Sequence, residues 1–317
     1  MSLLEVEGLR TYFLTRKGEV KAVDGVSFNV AEGEAFGLAG ESGCGKTTTA
    51  LSIMRLVPPP GKIVDGKIIF DGKDLVQISE NEMRDIRWKK ISIVFQGAMN
   101  ALNPVLTVGD QIAEAILAHE NVTKDEAWRR VEYLLGLVGI GSERARDYPH
   151  QFSGGMRQRV MIAMALACNP KLVIADEPIT ALDVIVQRQV LTTIKDLQKK
   201  LNLSMILITH DLSVIAQTCD RVAIMYAGKI VEQADVTSIF QRPIHPYTKA
   251  LIRSFPSIRG SKRSLTSIPG APPNLLNPPT GCRFHPRCPC STPICRKEEP
   301  MLIEVEKGHL VACHLAQ

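Results

Sequence analysis

The sequence predicts an α/β protein with a parallel sheet at its centre and a small cysteine-rich segment at its carboxyl end. Two short, continuous apolar runs, "KLVIADE" and "LSMILITH", are typical of parallel strands that are covered on both faces. A third run, "EAFGLAG", leads through a glycine-rich turn into the helical pattern "KTTTALSIMRLV". The composition changes after Ser254, and five of the eight cysteines fall between Cys282 and Cys313. We therefore expect one large domain and a smaller appendage.

Composition limits the class of protein. The chain has 317 residues, of which 45% are hydrophobic and 22% charged, so it can bury a substantial core. Its start, "MSLLEVEGLR", has two acidic residues and no apolar segment, and no apolar run approaches the roughly 18 residues of a membrane span. These features predict a cytoplasmic protein. The net charge of +5 is mild for this size and favours an ordinary solvated surface over a dedicated site for nucleic acid, lipid or an acidic partner.

Other elements follow from local patterns in chain order. Residues 1–40 alternate apolar and polar positions between glycine turns, which indicates several antiparallel strands. Helical periodicity from Gly109 to Leu137 predicts a helical insertion between two strand-like regions. The stretch "DRVAIMYAGKIVEQA" predicts a hairpin that turns at Gly228, and "RPIHPYTKALIRSFPS" predicts one short helix.

The domain boundary is predicted where the composition changes. The stretch "RGSKRSLTSIPGAPPNLLNPP" is rich in proline, glycine and serine, as is typical of a linker. We therefore expect a large domain over 1–254, whose helical subdomain covers about 97–155, and an extension over 255–317.

A glycine-rich turn predicts a phosphate-binding loop. "GESGCGKT" fits the pattern G-x-x-x-x-G-K-[ST] and lies between a predicted strand and a predicted helix, as the motif requires. Glycines let successive N–H groups point at phosphate oxygens, and the helix N-terminus adds partial positive charge. Lys46 would bridge the β- and γ-phosphates of ATP, and the Thr47 hydroxyl would ligate Mg²⁺. The residues predicted to line this loop are Gly40, Ser42, Gly43, Cys44, Gly45, Lys46, Thr47 and Thr48.

A second motif supplies carboxylates. The apolar strand of "KLVIADE" ends in Asp176, which would hold Mg²⁺ or its water. Glu177 follows, where a general base could polarise an attacking water. An acidic pair alone is more often a helix cap, but together with the phosphate-binding loop it predicts nucleotide hydrolysis.

A third motif narrows the type of ATPase. "FSGGMRQR" places Ser153 at the start of a helical pattern, where the helix N-terminus would face a phosphate. It closely resembles the signature motif of ABC-type ATPases. Gln96 in "IVFQ", Asp183 in "ALD" and His210 in "LITHD" resemble the family's Q-loop, D-loop and switch histidine, and they occur in the family's order.

The resemblance implies a P-loop ABC-type ATPase domain: a RecA-like core with an antiparallel β subdomain and a helical subdomain. Such domains form head-to-tail dimers that close around two ATP molecules, and the signature residues of the facing subunit complete the γ-phosphate site. Glu177 would act as general base, Gln96 would sense Mg²⁺ and the attacking water, and His210 would contact the γ-phosphate. To the nucleotide-binding residues the resemblance adds Ser153, Gly154, Gly155, Gln158 and Asp183.

In this family an aromatic residue near the amino end stacks on adenine. Phe13 matches that position, and neighbouring Tyr12 is the alternative, because strand alternation lets only one of the two face the base. Either ring can instead pack in the core.

Four stretches together look like the ATPases of dipeptide and oligopeptide importers: "ESGCGKT", "NALNPVLTVG", "HPYTKAL" and the cysteine-rich end. "GAMNALNPVLTVGDQI" resembles the segment that meets the permease. The resemblance implies two such ATPases, often non-identical, on the cytoplasmic face of the membrane, with two membrane permease subunits and an external peptide-binding protein. Ile179 departs from the threonine that is commoner in "DEPITALD".

Two alternatives change the function. The first keeps the ATPase but changes the cargo to nickel, another metal chelate or oligosaccharide, because other subunits choose the cargo. The second is a soluble ABC ATPase that acts on nucleic acid or the ribosome. Against the second, the sequence has one phosphate-binding loop and no long coiled-coil insertion.

The cysteines of the extension predict a metal site, because a disulfide framework is not expected without a secretory signal. Tetrahedral zinc could take four thiolates, or three thiolates and an imidazole. The intervals are longer than the tight pairs usual for structural zinc and suit an iron–sulfur cluster. Reduced thiols without a metal are the third possibility.

Resemblance to peptide-importer ATPases that carry a 4Fe–4S cluster favours iron. It assigns Cys282, Cys288, Cys295 and Cys313 as ligands and leaves Cys290 as a fifth thiol that competes with Cys288. A loop-rich segment of this length would bury little apolar surface, so the metal could supply its fold.

Overall fold

The computed structural model describes residues 2–97, 101–180, 182–254 and 268–316. The chain forms two compact units, which we call the helical unit and the phosphate-loop unit. The helical unit comprises Ala31–Ala35 and Gln77–Leu207. The phosphate-loop unit comprises Ser2–Val30, Phe36–Val76 and Ile208–Gln317. The predicted boundary near Ser254 stays a prediction, and residues 255–267, which include the first part of the predicted linker, lie outside the described residues.

The regular elements are named in chain order. The strands are β1 (Ser2–Thr15), β2 (Gly18–Ala31), β3 (Ala35–Ala39), β4 (Gly61–Phe70), β5 (Lys73–Asp74), β6 (Ile91–Val94), β7 (Leu172–Asp176), β8 (Ser204–Thr209), β9 (Arg221–Tyr226), β10 (Lys229–Asp235), β11 (Ile303–Glu306) and β12 (His309–Val311). The helices are α1 (Lys46–Ile53), α2 (Glu80–Ile86), α3 (Val108–His119), α4 (Lys124–Leu137), α5 (Gly154–Ala165), α6 (Val184–Leu201), α7 (Leu212–Thr218), α8 (Val236–Gln241), α9 (Pro246–Arg253) and α10 (Pro293–Lys297). Short 3₁₀ helices cover Ser142–Arg146, Pro149–Gln151 and His285–Arg287.

An antiparallel sheet of the phosphate-loop unit has the order β2-β1-β4-β5. Leu4 lies opposite Phe70 and Val6 opposite Ile68, and all four side chains are buried. Alternation along both strands therefore places one apolar face in the core. This sheet confirms the antiparallel strands that the first 40 residues predict.

A second set of paired strands in the same unit has the order β11-β12-β10-β9-β3. β3 pairs in parallel with β9, whereas β9 and β10 form the predicted antiparallel hairpin. The hairpin turns at Ala227 and Gly228, which have φ values of 49° and 84°. The parallel strand pair places the carboxyl end of β3 at the start of the phosphate-binding loop.

The carboxyl-terminal segment extends this sheet. β12 pairs with β10, with Val311 opposite Glu232, and β11 pairs with β12. Upstream, the Phe284 ring is 1% exposed and lies 5.1 Å from the Tyr226 ring and 5.3 Å from the Tyr247 ring, between centroids. Most of the described segment is loop, as expected, and the suggestion that a metal could supply its fold stays a prediction. Strand pairing and a buried aromatic ring attach it to the unit.

In the helical unit, β6 and β7 pair in parallel, with Ile91 opposite Leu172. Helices α3 and α4 confirm the helical insertion predicted over Gly109–Leu137. Thr123 and Glu126 form a capping box at the start of α4, which satisfies N–H groups that the helix itself leaves open. Among the residues described, no helix combines the length and apolarity needed to cross a membrane.

Candidate nucleotide-binding site

The phosphate-binding loop joins β3 to α1 and can be formed only with glycine at two positions. Gly40 and Gly45 have φ values of 150° and 107°. A Cβ atom on Gly40 would lie 2.2 Å from the Met225 carbonyl oxygen, and one on Gly45 would lie 2.3 Å from the Ala22 carbonyl oxygen. Any side chain at these positions would clash with fixed backbone, so the motif glycines shape the loop.

Lys46 is held inside this loop. It is 5% exposed, and its Nζ donates to the carbonyl oxygens of Gly40 at 2.7 Å and Glu41 at 3.0 Å. Gly45, at the N-cap of α1, supplies no side-chain acceptor for the first N–H groups of the helix. An ammonium group and open N–H donors at a helix start form an anion-binding arrangement. Burial raises the pKa of the neighbouring Cys44 thiol, which therefore stays neutral.

The rim of the loop is accessible. Ser42, Gly43 and Thr47 are exposed, and Thr48 is half-buried. The Thr47 hydroxyl therefore lies at the surface beside a buried ammonium group, as a metal ligand next to bound phosphates requires.

Strand β1 places the two aromatic candidates, Tyr12 and Phe13, on opposite faces. Thr11, Tyr12 and Phe13 pair in regular register with β4, so Thr11 and Phe13 share one face. The Thr11 hydroxyl lies 2.8 Å from the Ser52 hydroxyl of α1. Tyr12 faces the other way, and its hydroxyl donates to Asp24 Oδ1 at 2.7 Å. Phe13 therefore lies on the face of β1 that contacts α1.

His210 follows β8 and is exposed. The next residue, Asp211, caps α7 by accepting from the Ser213 N–H at 2.8 Å. The cap fixes the backbone immediately after His210 at the end of the strand.

In the helical unit, β7 delivers the predicted carboxylates. Asp176 is 1% exposed, and Glu177 adopts a left-handed backbone with a φ of 46°. Such a conformation is uncommon for a residue other than glycine and is often found at functional sites. Gln96 Nε2 donates to Glu177 Oε2 at 2.8 Å, and the Thr180 hydroxyl donates to the same oxygen at 2.9 Å. The structure thus brings the predicted base together with the predicted Q-loop residue.

The signature segment begins α5. The Ser153 hydroxyl caps the helix by accepting from the Met156 N–H at 3.4 Å. A Cβ on Gly155 would lie 2.1 Å from Val186 Cγ1, so only glycine allows this packing. Ser153 is exposed and Gly154 half-exposed, which leaves the start of the helix accessible. Gln158, predicted to contact nucleotide, is 4% exposed, and its Nε2 finds no hydrogen-bond partner among the described residues.

Arg144 supports the approach to the signature. Its guanidinium group lies 4.5 Å from the Phe152 ring centroid, and it donates to Asp147 Oδ2 at 2.7 Å and to the Gln151 carbonyl at 3.0 Å. A cation above an aromatic face adds to these hydrogen bonds. The arginine therefore orients the chain just before Ser153.

Asp183 caps α6, and its Oδ1 accepts from the N–H groups of Ile185 and Val186 at 3.1 and 3.0 Å. The side chains of Val184 and Ile185 are 80% and 73% exposed. The start of α6 therefore carries two adjacent exposed apolar side chains.

The cysteines of the extension lie near one another. Cys295 and Cys313 are buried, Cys282 and Cys288 are half-buried, and Cys290 is exposed. Burial is the main cause that raises the pKa of Cys282 to about 11; the Phe284 N–H opposes it, and the neighbouring thiols of Cys295, Cys313 and Cys288 add to it. The four thiols assigned as ligands are thus close enough to interact electrostatically.

No metal centre is formed by these side chains. Within the described ranges, no group of three or more His, Cys, Asp or Glu side chains is arranged to hold a metal ion. The arrangement therefore does not support the predicted iron–sulfur or zinc site.

Known proteins resemble the chain along almost its whole length. Residues 23–180 match the family model described as ABC transporter, and residues 231–295 match the model described as oligopeptide/dipeptide transporter, C-terminal region. The chain is 51% identical to the dipeptide transport ATP-binding protein DppD of Bacillus subtilis, covering 99% of this chain and 94% of that protein. It is 45% identical to the oligopeptide transport ATP-binding protein OppD of Escherichia coli, covering 98% and 93%. The chain belongs to the ATP-binding proteins of ABC transporters.

Solved structures confirm the fold of this ABC ATPase. The dimeric ATP-binding cassette MJ0796, bound to ADP and phosphate after hydrolysis, matches with a TM-score of 0.66 and 27% identity, covering 74% of this chain and 98% of that one. CbiO1 of Clostridium perfringens, part of the cbiONQ transporter complex, matches with the same score and identity over 76% and 91%. The α/β fold predicted from the motifs is therefore the ABC ATPase fold.

Sequence analysis missed two groups of residues in this ABC ATPase. Thr180 lies within the quoted "DEPITALD", and its hydroxyl position three residues after Glu177 is a signal that could have found it. Glu41 and Arg287 were also missed, although Arg287 Nη1 and Nη2 donate to the two Glu41 carboxylate oxygens at 2.7 and 3.0 Å. Glu41 and Arg287 are 246 residues apart in the sequence, so no local sequence pattern links them.

Proposed function

We propose that this ABC ATPase powers the import of di- and oligopeptides as a peripheral subunit on the cytoplasmic face of the membrane. The observation that carries the proposal is the full-length likeness to proteins named for dipeptide and oligopeptide transport, which includes the carboxyl-terminal segment. That likeness favours peptides over nickel, other chelates or oligosaccharides, and favours transport over action on nucleic acid or the ribosome.

Each unit contributes its own part of the ATPase machinery. In the phosphate-loop unit, Lys46 binds the β- and γ-phosphates, the Thr47 hydroxyl would hold Mg²⁺, and His210 contacts the γ-phosphate. In the helical unit, Asp176 would hold Mg²⁺ directly or through water. Bound Mg²⁺ neutralises phosphate charge. The burial of Lys46 and Asp176 supports these roles, because buried charges persist in proteins when they are paired or bind a ligand.

Glu177 is the proposed general base. The hydrogen bonds from Gln96 and Thr180 converge on Oε2 and orient the carboxylate that would take a proton from water. Gln96 is thereby coupled to the base, because any movement of its side-chain amide changes the orientation of the Glu177 carboxylate. Ile179 is 5% exposed and buried beside the base, so its departure from the commoner threonine leaves the carboxylate contacts intact.

Adenine stacks on Phe13 in this proposal. Phe13 shares a face of β1 with Thr11, which contacts the helix that follows the phosphate-binding loop. The hydrogen bond from the Tyr12 hydroxyl to Asp24 on the opposite face of β1 supports the choice of Phe13 over Tyr12.

The working form is a head-to-tail dimer with a second, non-identical ABC ATPase. The exposed Val184 and Ile185 side chains beside Asp183 supply apolar surface, and the accessible Ser153 and Gly154 supply N–H donors for the γ-phosphate held by the facing subunit. Gln158 supports the signature helix from its buried position.

Two permease subunits dock on the segment that follows Gln96. Val105 is 75% exposed and Leu106 is 37% exposed, so this segment offers apolar surface to a partner. Residues 98–100 of the predicted docking segment lie outside the described residues. An external peptide-binding protein would deliver cargo to the permeases.

The carboxyl-terminal segment is the proposed site of a 4Fe–4S cluster held by Cys282, Cys288, Cys295 and Cys313. This ligand set is supported by the resemblance of the cysteine pattern to peptide-importer ATPases that carry such a cluster, whereas the described side chains as they stand form no metal centre. Binding requires the thiols to lose protons and to move into ligand geometry. Anaerobic purification should give a brown protein with about four iron atoms per chain. Stoichiometric zinc, or a colourless protein without metal, would overturn this part of the proposal.

The central experiment isolates the tagged full chain from its native membranes. Membrane permease subunits should co-purify, and vesicles that contain the complex should take up labelled di- and oligopeptides when ATP is supplied. Uptake of nickel or oligosaccharide without peptide would overturn the cargo, and recovery of ribosomes or DNA without permeases would overturn transport.

The catalytic assignment is tested with Glu177→Gln. This change should leave ATP binding intact and lower turnover by about 10²–10⁴-fold, because the amide cannot accept a proton from water. Glu132→Gln, at an exposed position on α4, is the matched control and should keep wild-type turnover. Persistent hydrolysis in Glu177→Gln would show that another group is the base.

A further inference from the structure

The stretch "RFHPR" lies between Cys282 and Cys288 and places two arginines within the phosphate-loop unit. Arg283 and Arg287 are 7% and 8% exposed, which is unusual for arginine. Phe284 lies between them in sequence and is fully buried against Tyr226 and Tyr247. Because the Phe284 ring is anchored in the core, it fixes the backbone from which both arginine side chains extend into the protein.

All N–H donors of the Arg287 guanidinium group have hydrogen-bond acceptors within the protein. Nη1 and Nη2 donate to the two carboxylate oxygens of Glu41 at 2.7 and 3.0 Å. Nε donates to the Pro269 carbonyl at 2.8 Å, and the remaining Nη donors reach the Tyr226 hydroxyl at 3.3 Å and the Ile268 carbonyl at 3.4 Å. A bidentate pair with every donor satisfied holds its partner in one geometry.

That partner belongs to the phosphate-binding loop. Glu41 is the first residue after Gly40, and its carbonyl oxygen accepts from Lys46 Nζ at 3.0 Å. Its N–H donates to the Tyr247 hydroxyl at 3.0 Å. Arg287 therefore holds the side chain of the residue whose carbonyl holds the phosphate-binding lysine.

Arg283 reaches the same loop by a second route. It donates to the Ala227 carbonyl and pairs with Asp24. The next N–H, that of Gly228, donates to the Cys44 carbonyl of the loop at 2.9 Å. Arg287 thus contacts the loop directly at Glu41, whereas Arg283 supports it indirectly through the turn at Ala227 and Gly228 that contacts Cys44.

We propose that Arg287 is a positioning residue of the nucleotide site: through Glu41 it holds the phosphate-binding loop in the shape that binds ATP. The carboxyl-terminal segment thereby sets the ATP affinity of this subunit. The guanidinium donors of Arg287 are all directed at protein acceptors, so we expect it to act on ATP binding and to leave the chemical step unchanged. The inference rests on the proposed role of the loop in binding ATP.

The test measures the Kd of a fluorescent ATP analogue with Mg²⁺, and the KM and kcat for ATP, on the purified full chain. Arg287→Ala should raise Kd and KM about tenfold, which corresponds to about 1.4 kcal/mol of binding free energy, roughly that of one hydrogen bond to a charged group. The value of kcat should stay within about twofold of wild type. Arg287→Lys keeps the charge but not the bidentate geometry and should recover part of the affinity.

Arg296→Ala is the matched control, because Arg296 is an exposed arginine in the same segment. It should leave Kd unchanged. If Arg287→Ala melts well above the assay temperature and binds ATP as tightly as wild type, the proposal is wrong and the contact serves stability alone. Failure of the wild-type chain to bind ATP would instead overturn the proposed function.

If Arg287→Ala does not fold, the coupling between Arg287 and Glu41 can be tested from the Glu41 side. Glu41→Gln keeps the side-chain size and removes the charge that Arg287 binds. It should raise the Kd for ATP, and Arg287→Met in the Glu41→Gln background should add no further loss of affinity. Unchanged affinity in Glu41→Gln, or losses that simply add in the double variant, would refute the coupling.

Discussion

Replacing Phe284 with alanine should loosen the carboxyl-terminal segment from the phosphate-loop unit. The ring is 1% exposed, and its centroid lies 5.1 Å from that of Tyr226, 5.3 Å from Tyr247 and 5.8 Å from the His245 ring. Truncating a buried phenylalanine costs about 3–5 kcal/mol of unfolding free energy. Edge-on aromatic contacts each add about 0.5–1.5 kcal/mol, so we expect the upper half of that range.

For a unit of this size, about 1 kcal/mol corresponds to a shift in melting temperature of about 2–4 °C. Phe284→Ala should therefore melt about 8–20 °C below wild type in thermal unfolding followed by circular dichroism. Met301→Ala is the control, because Met301 is an apolar residue of the same segment that is 74% exposed. If Phe284→Ala melts within about 1 °C of wild type, the aromatic contacts do not hold the segment. A bound metal would then be the better explanation of its fold.

Further predictions concern pH and assembly. Burial, with a smaller effect from Lys249, lowers the pKa of His245 to about 3, so folding requires the neutral imidazole. Below about pH 6.5 the imidazole is protonated in the unfolded chain but not in the folded one. The free energy of unfolding should therefore fall by about 1.4 kcal/mol per pH unit between about pH 6.5 and pH 3, and it should not depend on this group above about pH 6.5. His245→Asn keeps an acceptor for the Tyr247 N–H and should flatten this acid slope in urea titrations at about pH 6 and pH 4; an unchanged slope would contradict the assignment. The double change Val184→Ser and Ile185→Ser should weaken the ATP-dependent association of the full chain with its partner ATPase in analytical ultracentrifugation without lowering its melting temperature, because both side chains are exposed; unaltered association would place the interface elsewhere.

Elements that depend on neighbouring residues could be predicted from the sequence. The phosphate-binding loop is set by glycines at fixed spacing before a lysine, and the hairpin at Gly228 is set by a turn between two apolar runs. Strands β11 and β12 could not be predicted in this way. They have four and three residues, alternate weakly in burial, and exist because β12 pairs with β10, about 80 residues earlier in the chain.

The candidate site shows the same division. Gln96 and Glu177 could be named from their motifs, but their hydrogen bond depends on how β6 and β7 pair, and the contribution of Thr180 depends on the left-handed backbone at Glu177. The cysteine pattern predicts a metal site, but it gives no indication that the two arginines between Cys282 and Cys288 are buried. An arginine in a cysteine-rich loop is usually solvated, and its burial becomes visible only with its acceptors.

Glu41 shows why the phosphate-binding motif itself conceals the contact to Arg287. In G-x-x-x-x-G-K-[ST] the fixed letters are those that phosphate requires, whereas the positions written x meet phosphate with backbone N–H groups that any residue supplies. The side chains at those positions are therefore free to bind the rest of the protein. In this chain the first such position, Glu41, carries a carboxylate that pairs with an arginine from the opposite end of the sequence. Control of ATP affinity that is particular to one ABC ATPase can thus lie at motif positions that the motif leaves unspecified.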